Sequence, residues 1–171
     1  MWTRRLTVLV FLAASLFVAG AESKPAGVEL ELACPQEVSA GCVLDLKITL
    51  RNRTASTIHF EVSSGDFALV DLNAVKDGKD APLTAFGDSI VHPKVPGGGH
   101  IQLCLLKEGE SFSQIFRLSR FFDFSLVGTY RIKAARYGVT DAAKKPLELT
   151  AETSVKITEP IPDQADTDKA Q

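Results

Sequence analysis

The sequence predicts an all-β fold, a single antiparallel β-sandwich of seven to eight strands. Three observations predict it. Apolar residues recur at every second position in short runs, the runs are separated by turn-forming residues, and no stretch shows the spacing of a convincing amphipathic helix.

The first run places Val28, Leu30 and Leu32 on one face, with Glu29 and Glu31 on the other. From Val43 to Arg51 the alternation is clearest: Leu44, Leu46, Ile48 and Leu50 share a face, opposite Asp45, Lys47, Thr49 and Arg51. Asn52-Arg53-Thr54 then reads as a turn, and Ile58, Phe60 and Val62 form the apolar face of the next strand. Phe67 to Leu72 and Ile101 to Leu106 are further strand-like runs. Phe112, Phe116 and Leu118 alternate with Ser113 and Arg117 after the turn residues Lys107-Glu108-Gly109. Tyr130, Ile132 and Ala134 alternate with Arg131 and Lys133, and Val155 and Ile157 flank Lys156 to close the set. Strands with one wet and one dry face pack as two sheets over a common core.

Between these runs, Asn73 to His100 breaks the pattern. It carries Lys76-Asp77-Gly78-Lys79-Asp80, three prolines and Gly97-Gly98-Gly99, which predicts long loops around at most one short strand. Loops of that length are uncommon in compact domains unless they serve a function, so this segment is the first candidate for a recognition surface, against a simple solvated connection. The polar, proline-interrupted stretch over residues 159–171 predicts a disordered tail.

At the other end, Arg4 and Arg5 precede an apolar run from Leu6 to Val18 and the small residues Ala19-Gly20-Ala21. This order predicts a secretory signal peptide over residues 1–21 with cleavage before Glu22. The run is shorter than the ~20 residues of a spanning helix, so no membrane span is expected after cleavage. Residues 22–27 form a lead-in and 28–158 the sandwich. The expected location is the periplasm or the medium.

Of the 171 residues, 19 are basic and 21 acidic, and cleavage removes Arg4 and Arg5 to leave a net charge of −4. That balance provides no overall basic field to attract nucleic acid or anionic lipid. The three cysteines enter an oxidising compartment. Cys34 and Cys42 flank the turn-rich Pro-Gln-Glu-Val-Ser-Ala-Gly, which predicts a short disulfide between them, with Cys104 left as a small strand residue.

Leu-Lys-Ile-Thr-Leu-Arg-Asn at 46–52, Leu-Lys-Glu-Gly-Glu-Ser-Phe at 106–112 and Val-Gly-Thr-Tyr-Arg-Ile-Lys-Ala at 127–134 together resemble exported bacterial immunoglobulin-like domains. These include domains similar to the bacterial proteinase-inhibitor sandwich. The resemblance implies that the three segments are strand B, the turn into strand E, and strand F, with Tyr130 as the tyrosine corner. Two departures set this chain apart from antibody-type domains. Ile132 stands where strand F carries its cysteine, and the only Trp, Trp2, lies in the expected signal peptide.

The chemistry-bearing residues form no recognisable site. His100 and Cys104 share a strand face but lie roughly 13 Å apart when extended, too far for one ion. His59 projects from a polar face, and His92 reaches His100 only if the loop folds back, so no metal site is assigned. Gly87-Asp88-Ser89 lacks the Gly-x-Ser-x-Gly pattern of a nucleophile elbow. Gly97-Gly98-Gly99 lacks the Lys-Ser or Lys-Thr of a phosphate loop. Phe121, Phe122 and Phe124 read as core, with a surface aromatic patch as the sharper alternative.

The expectation is therefore a non-catalytic exported module, without cofactor, that binds an unknown protein or envelope component. Its alternatives are an inhibitor of extracytoplasmic proteinases and a small enzyme or metal carrier.

Overall fold

The computed structural model describes residues 27–63, 69–92 and 100–160. The expected signal peptide and Gly97-Gly98-Gly99 lie outside these residues, as does the expected tail beyond Pro160. Among the described residues, eight strands are six residues or longer: β1 (Val28–Ala33), β3 (Asp45–Asn52), β4 (Ile58–Ser63), β5 (Val70–Lys76), β7 (Ile101–Leu106), β8 (Ser111–Arg117), β9 (Gly128–Arg136) and β11 (Leu149–Thr158). Three short strands join them: β2 (Glu37–Ser39), β6 (Lys79–Asp80) and β10 (Val139–Thr140).

The ladders give a five-stranded sheet in the order β2-β11-β9-β5-β6 facing a layer built from β1-β3-β8 and β10-β4-β7. The facing layer is continuous through its chain. β3 runs on into β4, and their antiparallel partners β8 and β7 are joined by residues 107–110. Every ladder is antiparallel except the pairing of β2 with β11, which is parallel.

Period-two alternation sets the core. Leu46, Ile48 and Phe116 from one sheet meet Tyr130, Ile132, Ala134, Val155 and Ile157 from the other, all at most 4 % exposed. A second cluster of Leu50, Ile58, Phe60, Leu106 and Val139 fills the end where β4 and β7 lie. Arg136 is buried beside these residues, donating to the carbonyls of Leu69 and Glu61 and so fixing both stems of the β4–β5 connection. Burial lowers its guanidinium pKa.

The strands corresponding to A, B and E are β1, β3 and β8, and those corresponding to C, F and G are β5, β9 and β11. The Tyr130 hydroxyl donates to the Leu126 carbonyl at 2.9 Å, which is the tyrosine corner expected at this residue. The fold is an all-β, immunoglobulin-like sandwich.

Two expectations are corrected. The segment from Asn73 to His100 contains ordered elements among its described residues. β5 extends to Lys76, Asp77 (φ 52°) and Gly78 (φ 77°) form the tight turn to β6, and α1 spans Ala85–Val91. Two consecutive positive φ values are what a type I′ hairpin requires, and Asp-Gly supplies them. Thr84 caps α1 by accepting from the Gly87 N–H at 3.0 Å, and the helix is too short for its periodicity to stand out.

The second correction concerns the disulfide. All three cysteines are free thiols, and the Cys34–Cys42 bridge is not formed. Glu37–Ser39 instead run as β2 along β11, so the middle of the segment is extended, and the chain turns only at its end, where the Cys42 N–H donates to the Ser39 carbonyl. The Cys34 sulfur faces β11, where it donates to the Ser154 carbonyl at 3.7 Å, while Cys42 is exposed.

Candidate binding edge

Asn52 positions the part of the molecule most suited to contact with a partner. It is fully buried at the junction of β3 and β4. Its Nδ2 donates to the carbonyls of Ser56 at 2.7 Å and Leu106 at 2.9 Å, and its Oδ1 accepts from the Thr54 N–H and hydroxyl at 2.9 and 2.7 Å. The side chain therefore holds the bend after β3 and the last residue of β7 in one arrangement. The Asn52-Arg53-Thr54 sequon is spent on this turn, and the folded chain has no room for a glycan there.

β7 lies at the open edge of the β10-β4-β7 sheet. Its register pairs Leu106, Cys104 and Gln102 with Ile58, Phe60 and Val62, and Leu105, Leu103 and Ile101 with His59, Glu61 and Ser63. The Glu61 N–H donates to the Gly138 carbonyl, and the Glu61 carbonyl accepts from Arg136, so the backbone groups of Glu61 face away from β7. Backbone direction alternates along an antiparallel strand, so Phe60 and its neighbours at 58 and 62 face β7. On β7 the groups of Gln102, Cys104 and Leu106 then turn toward β4. Those of Ile101, Leu103 and Leu105 point out of the sheet edge, where no strand is paired among the described residues.

The same three residues carry exposed aliphatic side chains: Ile101 is 60 % exposed, Leu103 63 % and Leu105 60 %. Cys104 instead packs inward against the second core cluster. β7 is also the one described strand of six or more residues with no charged residue. Edges of folded proteins are ordinarily blunted by brevity, charge, proline or cover. Here β2, β6 and β10 are at most three residues long, and β1 carries Glu29 and Glu31. β7 has none of these devices, and six uncharged residues without Pro or Gly form a segment prone to pair with another strand.

The other sequence candidates come together less well. Phe121, Phe122 and Phe124 are buried in the main core, so the aromatic surface patch is not formed. Asp88 and His92 pair on the exposed side of α1, Oδ1 to Nδ1 at 3.0 Å, but the Ser89 hydroxyl donates to the Phe86 carbonyl of its own helix. Gly87 packs against the Phe121 carbonyl so closely that a Cβ there would overlap it. Among the described residues, no three His, Cys, Asp or Glu side chains cluster to hold an ion. A cleft of about 300 Å³ lies under α1 against Leu83, Phe122 and Tyr137. Another of about 450 Å³ lies beside Val28, Ile58 and Leu149. No helix among the described residues is long and apolar enough to cross a membrane.

No family model and no curated protein matches this sequence. Among solved structures, the chain is similar to the CARDB domain of the PF1109 protein from Pyrococcus furiosus in complex with di-metal ions. The identity is 16 % and the TM-score 0.39, covering 77 % of this chain and 93 % of that one. It is also similar to part of a β-glucosidase from Listeria innocua in complex with glucose, at 13 % identity and a TM-score of 0.37. That match covers 78 % of this chain and 16 % of the glucosidase. Likenesses this distant carry no argument about activity, ligand or metal.

Proposed function

We propose that this chain is an exported, non-catalytic binding module that engages a protein partner by taking an extended segment onto the free edge of β7. The observation that carries the reading is the coincidence on Ile101, Leu103 and Leu105 of outward backbone groups and exposed aliphatic side chains. Strand addition uses this combination: main-chain hydrogen bonds supply affinity, and alternate side chains supply selectivity. Support for export comes from Arg4, Arg5 and the apolar run to Val18. Support for a non-catalytic role comes from Ser89 and Cys34. The Ser89 hydroxyl is occupied within its helix, and burial raises the Cys34 pKa, which disfavours the reactive thiolate.

The test is selection of decapeptides from a random library on the immobilised chain, followed by amide exchange on the complex. Peptides with aliphatic residues at alternate positions are expected to be enriched and to slow exchange at Ile101, Leu103 and Leu105. Selection should fail on Leu103→Lys, which alters an exposed residue and leaves the melting temperature within a few degrees. Protection confined to another edge, or peptides retained equally by Leu103→Lys, would overturn the reading.

A further inference from the structure

We infer that the segment β7 accepts is β7 of a second copy of this chain. The two strands run antiparallel across a twofold axis at Leu103 and join two β10-β4-β7 sheets into one of six strands. This inference rests on the edge-binding reading and names its occupant.

Backbone geometry fits the twofold. The three residues with outward N–H and C=O groups, Ile101, Leu103 and Leu105, are spaced symmetrically about Leu103. An antiparallel pairing centred there sets Leu103 opposite Leu103 of the second copy, and Ile101 opposite its Leu105. Each is a pair that exchanges two hydrogen bonds, about six bonds in all. On the outer face, every side chain then meets another aliphatic one, in the cross-strand positions where such pairs are stabilising.

Charge favours a second copy over a foreign strand. Across a twofold axis a charged residue near the centre meets its own like, which is unfavourable in a strand pair. β7 presents no charge between Ile101 and Leu106, whereas β1, β3, β4, β5, β8, β9 and β11 all carry at least one ionisable residue. Interfaces that select a foreign partner ordinarily use complementary charges to steer and discriminate, and β7 has none to offer.

The size of the contact sets its strength. Six aliphatic side chains, each about 60 % exposed before pairing, together with the two backbone edges, bury roughly 1,000 Å². That lies just under the size of stable specific interfaces, so the dimer should be weak and depend on concentration. On the inner face, Cys104 lies opposite Gln102 of the second copy, so this register gives Cys104 no partner thiol.

The experiment uses sedimentation equilibrium and oxidative cross-linking on the purified chain carrying Cys42→Ser, which removes the exposed native thiol. The parent is expected to double in mass as its concentration rises through the micromolar range, and Leu103→Lys to remain a monomer. Residues in a hydrogen-bonded antiparallel pair have Cα atoms about 5.5 Å apart, within disulfide range. Leu103→Cys should therefore oxidise to a covalent dimer. Ile101→Cys and Leu105→Cys should each form no covalent dimer alone and cross-link when mixed. A chain that stays monomeric throughout, with no cross-link through Leu103→Cys, overturns the self-pairing. If that monomer still selects peptides that protect Leu103, the edge-binding reading survives with a foreign strand as occupant. If it selects none, both fall.

Discussion

Replacing Asn52 with Ala should be among the most damaging single changes at the junction of β3 and β4, and the structure gives its size. The substitution removes two donated and two accepted hydrogen bonds at a side chain with no exposed surface. The Leu106 carbonyl keeps the Ile58 N–H across the ladder but loses its second, buried donor, at a cost of about 0.5–1.5 kcal/mol. The other three partners are only part-buried and can recover water, so each loss costs about 0.5–1 kcal/mol. The total is about 2–4.5 kcal/mol, a large share of the ~5–15 kcal/mol that holds a domain of this size together. Asn52→Asp sharpens the reasoning because it keeps the shape and the Oδ1 acceptor. It still loses both Nδ2 donors, and it sets a second oxygen against two carbonyls, so it should cost at least as much as alanine. Urea unfolding followed by circular dichroism measures both variants against the parent. A loss under ~1 kcal/mol for Asn52→Ala would refute the claim that this side chain ties the bend to the end of β7.

Two further outcomes test other parts of the frame. Tyr130→Phe should cost about 1–2 kcal/mol through loss of the bond to Leu126. Burial raises the Tyr130 phenol pKa above its ordinary value of 10.0, so the folded state keeps its proton to higher pH than the unfolded chain. Its contribution is then full below pH 10 and falls as pH rises past that point, and melting curves between pH 9 and 11 should be flatter for Tyr130→Phe than for the parent. In the native chain, iodoacetamide should label exposed Cys42 first and Cys34 last, since burial raises the Cys34 pKa and limits its thiolate. Peptide mapping against time would contradict this if Cys34 reacted before Cys42.

The long strands were legible because their two faces meet different solvents. Leu44 to Leu50, Ile58 to Val62 and Tyr130 to Ala134 alternate cleanly, and their apolar members are largely buried. The tyrosine corner was legible from a single residue, because its partner lies only four positions upstream. Two of the shortest elements were not: β2 and β10 are held by neighbours distant in the chain, and nothing local marks them. The type I′ hairpin did leave a signal, Asp77-Gly78, but it was masked by the charged residues around it. The binding edge was the least legible feature. In Ile-Gln-Leu-Cys-Leu-Leu, alternation alone favours burying Ile101, Leu103 and Leu105. The ladder with β4 instead sets Cys104 opposite the buried Phe60 and turns the three aliphatics outward. Which face a strand buries is decided by its register with a partner, and no window within β7 contains that information.

Arg136 has a consequence for how this frame tolerates change. Its guanidinium holds the carbonyls of Glu61 and Leu69, while the Tyr137 N–H bonds Leu69 and the Gly138 carbonyl accepts from Glu61. The points where the chain leaves β4 and re-enters before β5 are thus both pinned to Arg136, Tyr137 and Gly138, at and just after the end of β9. A segment of different length or composition grafted between Ser63 and Leu69 would inherit anchors of fixed spacing, which makes this connection the natural port for building a new specificity onto the scaffold.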